Sequence, residues 1–296
     1  MTEMNSEFDA SLLTPGAKLK GTNFSGKSLA GVNLQQADLS ESDLSNSDFR
    51  KSTLRQANLS ISDLAESTLA GCDLTGANLE GCNLTKANLV RAKLVGANLT
   101  GANLTEANLA EADFTNAILS NTDLSKATAP GAKFKGAMIE SANARMADFS
   151  EGDFTAAKVS MTSFERAALT LAKMDKLVAE NAVFEFADLR GAKMREANFS
   201  HANLVGASLQ EAQATDCNFY EADFYWAEME TFNLTRCNTE SARFPEKVEV
   251  AYGPKGVKPP EVKPVPLYRQ AATAEERKQF WEAVEAHSAE GRGQRA

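Results

Sequence analysis

The sequence is poor in the residues that catalytic and metal sites usually need. Its 296 residues include two His and four Cys, and only 7% are aromatic. No run of 18 apolar residues occurs, so we expect no membrane-spanning helix. The first ten residues lack a basic stretch followed by an apolar one, so we expect no secretory signal. Four Cys without such a signal favour free thiols in a reducing compartment, and we expect a cytoplasmic protein.

Charge is distributed unevenly along the chain. The formal net charge is −9 with a pI near 5.0, which disfavours nonspecific binding to nucleic acids and to anionic membranes. Residues 94–125 contain four acidic residues and no Lys or Arg, and residues 196–244 contain eight acidic and two basic residues. The segments 17–93 and 126–195 are close to neutral. The most acidic surface is therefore expected at the C-terminal end of 17–244.

A five-residue repeat runs through most of the chain. Residues 77–109 read ANLEG CNLTK ANLVR AKLVG ANLTG ANLTE ANL, and a large apolar position, here called i, recurs at every fifth residue from Leu19 to Phe244. This makes 46 consecutive repeats, with Leu at 24 of the i positions and Phe at 12. Position i−2 is small in 43 repeats, and position i−1 favours Asn and Asp. The period matches neither a helix nor a simple strand.

Short extended steps separated by turns explain this period. Residues i and i−2 would point inward, and Asn or Asp at i−1 would tolerate the backbone of a turn. One repeat buries little surface alone, so the repeats must stack into an all-β solenoid, with neighbouring coils roughly 4.8 Å apart. At Ala179 the volume lost at i is offset by Leu177 at i−2, and Phe232 at i−2 is expected to fill the last coil.

The repeats resemble the pentapeptide repeat family, whose motif is A(D/N)LXX. Ala77-Asn78-Leu79, Ala97-Asn98-Leu99 and Ala187-Asp188-Leu189 match this motif directly. The resemblance implies a right-handed quadrilateral β-helix with four repeats in each coil. The 46 repeats would then form about 11.5 coils.

The composition predicts four segments: an N-terminal segment or cap (1–16), the repeats (17–244), a linker or strap (245–270) and a C-terminal segment (271–296). The linker holds six of the eight Pro residues. Thr273 and Glu276 form a capping box before a short amphipathic helix. This helix is predicted to cap the solenoid, and the alternatives are a homodimer contact at the C-terminal end or a disordered tail. Its apolar residues are Phe280, Trp281 and Val284.

No catalytic, metal or cofactor site is predicted. All four Cys lie at i−2, where Ala is usual, so we expect small inward side chains with free thiols that react slowly in the folded protein. Neither His201 nor His287 has a plausible partner Ser or Cys for a nucleophilic set. We therefore predict that the protein is not an enzyme. The four Cys are Cys72, Cys82, Cys217 and Cys237.

The candidate binding site lies in the acidic C-terminal repeats. Tyr220, Tyr225 and Trp226 fall at the outward positions i+1 and i+2, and acidic residues flank them. Exposed aromatic side chains among acids are typical of a protein-binding patch, so we expect a protein partner with a basic surface and no direct nucleic-acid contact. The alternative is that the strap or the terminal helix covers these rings. The flanking acids are Glu221, Glu228 and Glu230.

The family resemblance implies two further roles. Some members mimic DNA and bind DNA gyrase, and others belong to bacterial secretion systems. Coils about 4.8 Å apart would give a solenoid roughly 55 Å long. A DNA mimic of that length would need roughly 32 negative charges, whereas the repeats carry a net charge of −7. Only residues 196–244, at net −6, approach the roughly seven charges that DNA of their length would carry. A scaffold or adaptor is therefore the first hypothesis, and the other two are alternatives.

Overall fold

The computed structural model describes residues 10–245, which form a β-solenoid. Parallel bridges join each i−1 residue to the residue 20 positions later, from Lys18 with Asp38 to Asp223 with Arg243. Because 20 residues make four repeats, each coil has four sides, as the family resemblance implied. Nearly all of these pairings are single bridges. Three longer strands, β1 (Lys193–Arg195), β2 (Gln213–Thr215) and β3 (Asn233–Thr235), form a parallel sheet in the order β1-β2-β3.

The four ladders of bridges define four faces of the solenoid. We number them by their first i−1 residue: face 1 begins at Lys18, face 2 at Asn23, face 3 at Ser28 and face 4 at Asn33. Residues i+1 and i+2 of each repeat form the turn that leads to the next face, and we assign them to the face they follow. Residues 20 apart therefore lie above one another on neighbouring coils.

The core consists of the i and i−2 side chains, as predicted. Every i residue from Leu19 to Leu234 is buried. Phe134 stacks between Phe114 and Phe154, with ring centroids 5.0 and 4.8 Å apart. Leu177 is 1% exposed beside the small Ala179, and Phe232 is fully buried. Volume is thus exchanged between neighbouring positions, which keeps the interior close-packed.

The turns correct one expectation from the sequence. The prediction that Asn or Asp at i−1 tolerates the turn backbone is wrong, because i−1 residues lie in the bridges. The residue with positive φ is i+2, at 33 non-glycine and 13 glycine positions, as the third residue of a type II turn requires. The i−1 side chain instead accepts a hydrogen bond from the N–H of i+1, as in Ser25 N to Asn23 Oδ1 at 2.9 Å.

Backbone hydrogen bonds hold the coils together. In each repeat the N–H of i donates to a carbonyl on the next coil, as in Leu104 N to Asp123 O at 2.6 Å. The N–H of i+2 does the same, as in Glu106 N to Ser125 O at 3.0 Å. Polar side chains that replace Ala at i−2 also find acceptors, since the Ser62 hydroxyl donates to Leu39 O at 2.7 Å. Buried polar groups are therefore satisfied within the stack.

The N-terminal end is partly described. A 3₁₀ turn spans Ala10–Leu12, and Leu13 packs against the core. The first solenoid turn already closes at Ala17 N to Thr14 O, 3.1 Å. The predicted linker beyond Pro245 and the predicted helix with Phe280, Trp281 and Val284 lie outside the described residues. Within residues 10–245, no helix is long and apolar enough to cross a bilayer.

The four thiols are free but not equivalent. Cys72, Cys82 and Cys217 are buried, whereas Cys237 is half-buried. The sequence led us to expect four slowly reacting thiols, and the partial exposure of Cys237 revises that expectation for this one residue. A hydrogen bond from the Cys217 thiol lowers the pKa of Cys237. The same bond, together with burial, raises the pKa of Cys217.

We expect one fast and three slow thiols when the folded protein reacts with a disulfide reagent. Cys237 should react at least about tenfold faster than the others, because the thiolate is the nucleophile and its sulfur is the most accessible. Stopped-flow absorbance would measure the phases, and Cys237→Ala should remove the fast one. A fast phase that persists in Cys237→Ala would contradict this assignment.

Candidate protein-binding site

The coil of residues 217–236 carries all six residues of the candidate site, but places them on different faces. Tyr220 and Glu221 form the turn between faces 1 and 2, and Tyr225 and Trp226 form the turn between faces 2 and 3. Glu228 and Glu230 follow on face 3 and are exposed. The structure therefore keeps Trp226 next to Glu228, whereas Tyr220 lies across face 2 and Glu230 lies across face 3 from it.

Tyr225 is held between two side chains. The Trp226 ring stacks on it with centroids 4.7 Å apart and an angle of 26° between the planes. The guanidinium carbon of Arg243 lies 3.8 Å from the Tyr225 ring centroid, and its Nη1 is 3.3 Å from Asp223 Oδ2. This cation–π contact and ion pair fix the orientation of the ring. Trp226 remains 37% exposed.

Two further apolar residues lie below this stack, on earlier coils at the same corner. Phe186 stands 40 residues before Trp226, and Val205 stands 20 residues before Tyr225. The turns are linked by Phe186 N to Val205 O at 2.9 Å and Gly206 N to Tyr225 O at 2.8 Å. We call Phe186, Val205, Gly206, Tyr225 and Trp226 the aromatic corner.

Gly206 makes room for Phe186 within the aromatic corner. A Cβ at position 206 would lie 2.2 Å from Phe186 Cε1. The Phe186 ring therefore occupies the space that the side chain of any other residue at position 206 would need. The φ of +65° at Gly206 also suits glycine. Phe186 and Val205 were not predicted from the sequence, although their spacing of 40 and 20 residues from Trp226 and Tyr225 is a signal that places them on the same corner.

Acidic side chains border the aromatic corner on face 3. Glu228 Oε2 accepts hydrogen bonds from Gln210 Nε2 at 2.7 Å and Ser208 Oγ at 3.1 Å, which fix its carboxylate. Glu211 and Glu230 are exposed, and neither lies in an ion pair among the described residues. Face 3 and the turns that follow it therefore present negative charge on one side of Trp226.

Tyr220 and Glu221 form a separate polar cluster with His201. His201 Nδ1 lies 3.2 Å from Glu221 Oε2, and the His201 and Tyr220 rings meet edge-to-face with centroids 5.5 Å apart. A hydrogen bond to Glu221 and the negative charge of that carboxylate raise the pKa of Tyr220. These contacts join the three residues to one another. The cluster lies at the turn between faces 1 and 2, away from the aromatic corner.

Metal-binding geometry is not found in residues 10–245: no three His, Cys, Asp or Glu side chains are grouped so that they could hold an ion. His201 contacts a carboxylate and an aromatic ring, and neither group is a nucleophile that a histidine base would activate. The C-terminal coils thus present aromatic rings and carboxylates whose positions are fixed by the contacts described above.

The comparisons with known proteins identify the family. The profile described as pentapeptide repeats matches eight copies over most of the solenoid, and the chain belongs to this family. No curated protein matches the chain. The matched residues are 28–64, 62–101, 92–128, 117–155, 162–200 and 197–236.

Several solved structures are similar to the chain. HetL, a pentapeptide repeat protein involved in heterocyst differentiation regulation in Nostoc sp. strain PCC 7120, is 23% identical with a TM-score of 0.32, over 77% of this chain and 88% of HetL. A pentapeptide repeat protein of the Arabidopsis thaliana thylakoid lumen is 34% identical with a TM-score of 0.34, over 35% and 72%. QnrB1, a plasmid-mediated fluoroquinolone resistance protein, is 19% identical with a TM-score of 0.32, over 59% and 92%.

Proposed function

We propose that the protein is a non-enzymatic scaffold or adaptor that binds a protein partner at the aromatic corner and the adjoining acids of face 3. The observation that carries this proposal is the stack of Arg243, Tyr225 and Trp226. Binding energy in interfaces concentrates on Trp, Tyr and Arg side chains held in fixed positions. Here the rings stand on a solenoid whose backbone is hydrogen-bonded from coil to coil, so little order is lost on binding.

The partner should present a basic surface around an apolar centre. Glu211, Glu228 and Glu230 supply negative charge on one side of Trp226, and Phe186 supplies apolar area below it. Charges at the edge of an interface steer encounter and fix the orientation of the partner. Binding should therefore weaken as salt rises, because the screening length falls to about 3 Å at 1 M ionic strength.

The test uses the natural partner, captured from the source cells by the full chain and identified by mass spectrometry. We expect Trp226→Ala to weaken binding of that partner by at least about thirtyfold, the effect of losing a central anchor. The matched control is Met161→Ala, which removes another exposed apolar residue at an i+2 position (62% exposed) and should change binding less than twofold. Equal losses in the two variants would refute the aromatic corner as the site.

A second pair of variants tests the charge of the site. Glu228→Gln with Glu230→Gln should weaken binding at low salt and matter less at high salt. Glu80→Gln with Glu140→Gln removes the same charge from face 1 and should have little effect at either salt concentration. If the face 1 pair weakens capture and the face 3 pair does not, the partner binds elsewhere.

Regulation of DNA gyrase by DNA mimicry is the second candidate. The net charge of −6 in residues 196–244 favours it. Ion pairs neutralise part of that charge, since Arg236 Nη2 lies 2.6 Å from Asp216 Oδ2 and Arg243 lies close to Asp223. Inhibition of gyrase supercoiling would support mimicry over the scaffold. The role in secretion stays a prediction that neighbouring genes would test.

We further propose that the 46 repeats wind with a right-handed sense into about 11.5 coils, and that the protein resides in the bacterial cytoplasm. The first proposal extends the four-repeat coil seen in the bridges. Free thiols at four positions support the second. Fractionation of the source cells would test the location.

A further inference from the structure

Folding places positive and negative side chains unequally on the four faces, and this distribution is not evident from the order of residues in the sequence. Within residues 17–244, face 4 carries nine basic and six acidic side chains, whereas the rest carries 13 basic and 23 acidic side chains. The excess of positive charge on face 4 comes from four successive coils. We call the four cations on the last two of these coils the basic surface: Lys173, Lys176, Lys193 and Arg195.

The ladder of face 4 shows where the excess arises. Along its i−1 positions, acidic and basic residues alternate on six successive coils, in the order Asp73, Lys93, Asp113, Lys133, Asp153 and Lys173. Opposite charges on neighbouring strands stabilise a ladder, and like charges destabilise it. Each lysine before Lys173 is therefore flanked by two aspartates.

The alternation ends at Lys193, which pairs directly with Lys173. Lys193 is the first residue of β1, and its other neighbour on the ladder is the neutral Gln213. Both lysines are exposed, and neither lies in an ion pair among residues 10–245. Two like charges thus stand on adjacent strands, roughly 4.8 Å apart at the backbone, with no local carboxylate between them.

Asp153 is the other ladder neighbour of Lys173, and the remaining acids nearby are engaged in other contacts. Glu196 Oε2 lies 3.6 Å from Lys176 Nζ, and Glu196 Oε1 lies 3.3 Å from Arg195 Nε. Asp175 Oδ1 accepts the backbone N–H of Arg195 at 2.9 Å. The ammonium groups of Lys173 and Lys193 are therefore the least compensated charges of the basic surface.

We infer that the basic surface of face 4 is a second interaction site, which binds an acidic segment of another protein through Lys173 and Lys193. A carboxylate placed between the two ammonium groups restores the alternation that the chain lacks at this step. This inference is independent of the aromatic corner, which lies at the turn between faces 2 and 3. The protein would then join a basic partner and an acidic one.

Charge complementarity favours an acidic protein segment over nucleic acid. DNA carries about one negative charge per 1.7 Å along its axis, and Asp153, Asp175 and Glu196 among the lysines would repel such a continuous charge. An acidic polypeptide carries discrete carboxylates that can meet the lysines and avoid the aspartates. A second copy of this chain is the other acidic candidate, because residues 196–244 have a net charge of −6.

The test compares two double variants of the full chain that remove the same charge from the same ladder. Lys173→Gln with Lys193→Gln changes the uncompensated pair, and Lys93→Gln with Lys133→Gln changes two lysines that are each flanked by aspartates. The probe is a fluorescein-labelled peptide of eight glutamates, followed by anisotropy at low salt. A 20-base-pair DNA duplex is the second probe, and sedimentation velocity reports self-association.

We expect the peptide to bind the wild-type protein, and Lys173→Gln with Lys193→Gln to weaken it about fivefold, the effect of two exposed charge pairs. The Lys93 and Lys133 variant should weaken it less than twofold, and Trp226→Ala should leave it unchanged. Absence of peptide binding, equal loss in both double variants, tighter binding of the duplex, or salt-sensitive self-association would each overturn the inference.

Discussion

Leu104→Asp should abolish the single cooperative unfolding transition of the protein. Leu104 is fully buried in the middle of the solenoid. The substitution removes an apolar side chain worth about 2 kcal/mol of burial and leaves a carboxylate without a partner, which costs several kcal/mol more. Each coil contacts only its neighbours. A coil that does not fold therefore also removes the contact between the two halves of the solenoid. Circular dichroism during thermal unfolding would measure the loss.

Thr105→Asp is the matched control. Thr105 is the next residue, at position i+1, and is half-buried with its hydroxyl 3.5 Å from that of Ser125. A carboxylate there reaches water, so we expect a change within about 0.5 kcal/mol in the free energy of unfolding. Equal melting temperatures for the two variants would show that the inward and outward positions have been assigned incorrectly.

High pH should destabilise the wild-type protein through two buried thiols. Burial raises the pKa of Cys72 and of Cys82 from 9.0 to about 12. The unfolded chain loses these protons near pH 9, but the folded chain retains them until about pH 12. The folded state therefore binds more protons between these values, and the free energy of unfolding falls as pH rises. The slope for each thiol rises from about half of 1.4 kcal/mol per pH unit at pH 9 toward the full value at higher pH, so two thiols cost about 3 kcal/mol between pH 9 and 10.5.

The variant Cys72→Ala with Cys82→Ala isolates this effect. Alanine is the usual residue at i−2, so the variant should fold normally and show a smaller loss of stability above pH 9. Urea unfolding at half-unit steps from pH 8 to 10.5 would give both slopes, and their difference removes the contributions of Lys and Tyr. Identical slopes would mean that folding does not raise the pKa of these two thiols.

The candidate site could be predicted only in part. Tyr225, Trp226, Glu228 and Glu230 were identifiable because they are close in the sequence and point outward. Tyr220 and Glu221 are equally close in the sequence, but they lie in the turn before face 2, whereas Trp226 lies in the turn after it. Phe186 could not be recognised from its neighbours in the sequence, because Gly206, which makes room for its ring, and Trp226, at the same corner, are 20 and 40 residues away.

The sequence by itself determined the solenoid core. Whether a side chain is buried depends on its position within the five-residue repeat. Every residue at position i from Leu19 to Leu234 is buried, as that period requires. The face on which a charge or ring appears depends instead on its place within the 20 residues of a coil. The outward positions tolerate almost any side chain, so no local rule constrains them. Only the stacking of coils brought Phe186 beneath Trp226 and set Lys173 against Lys193.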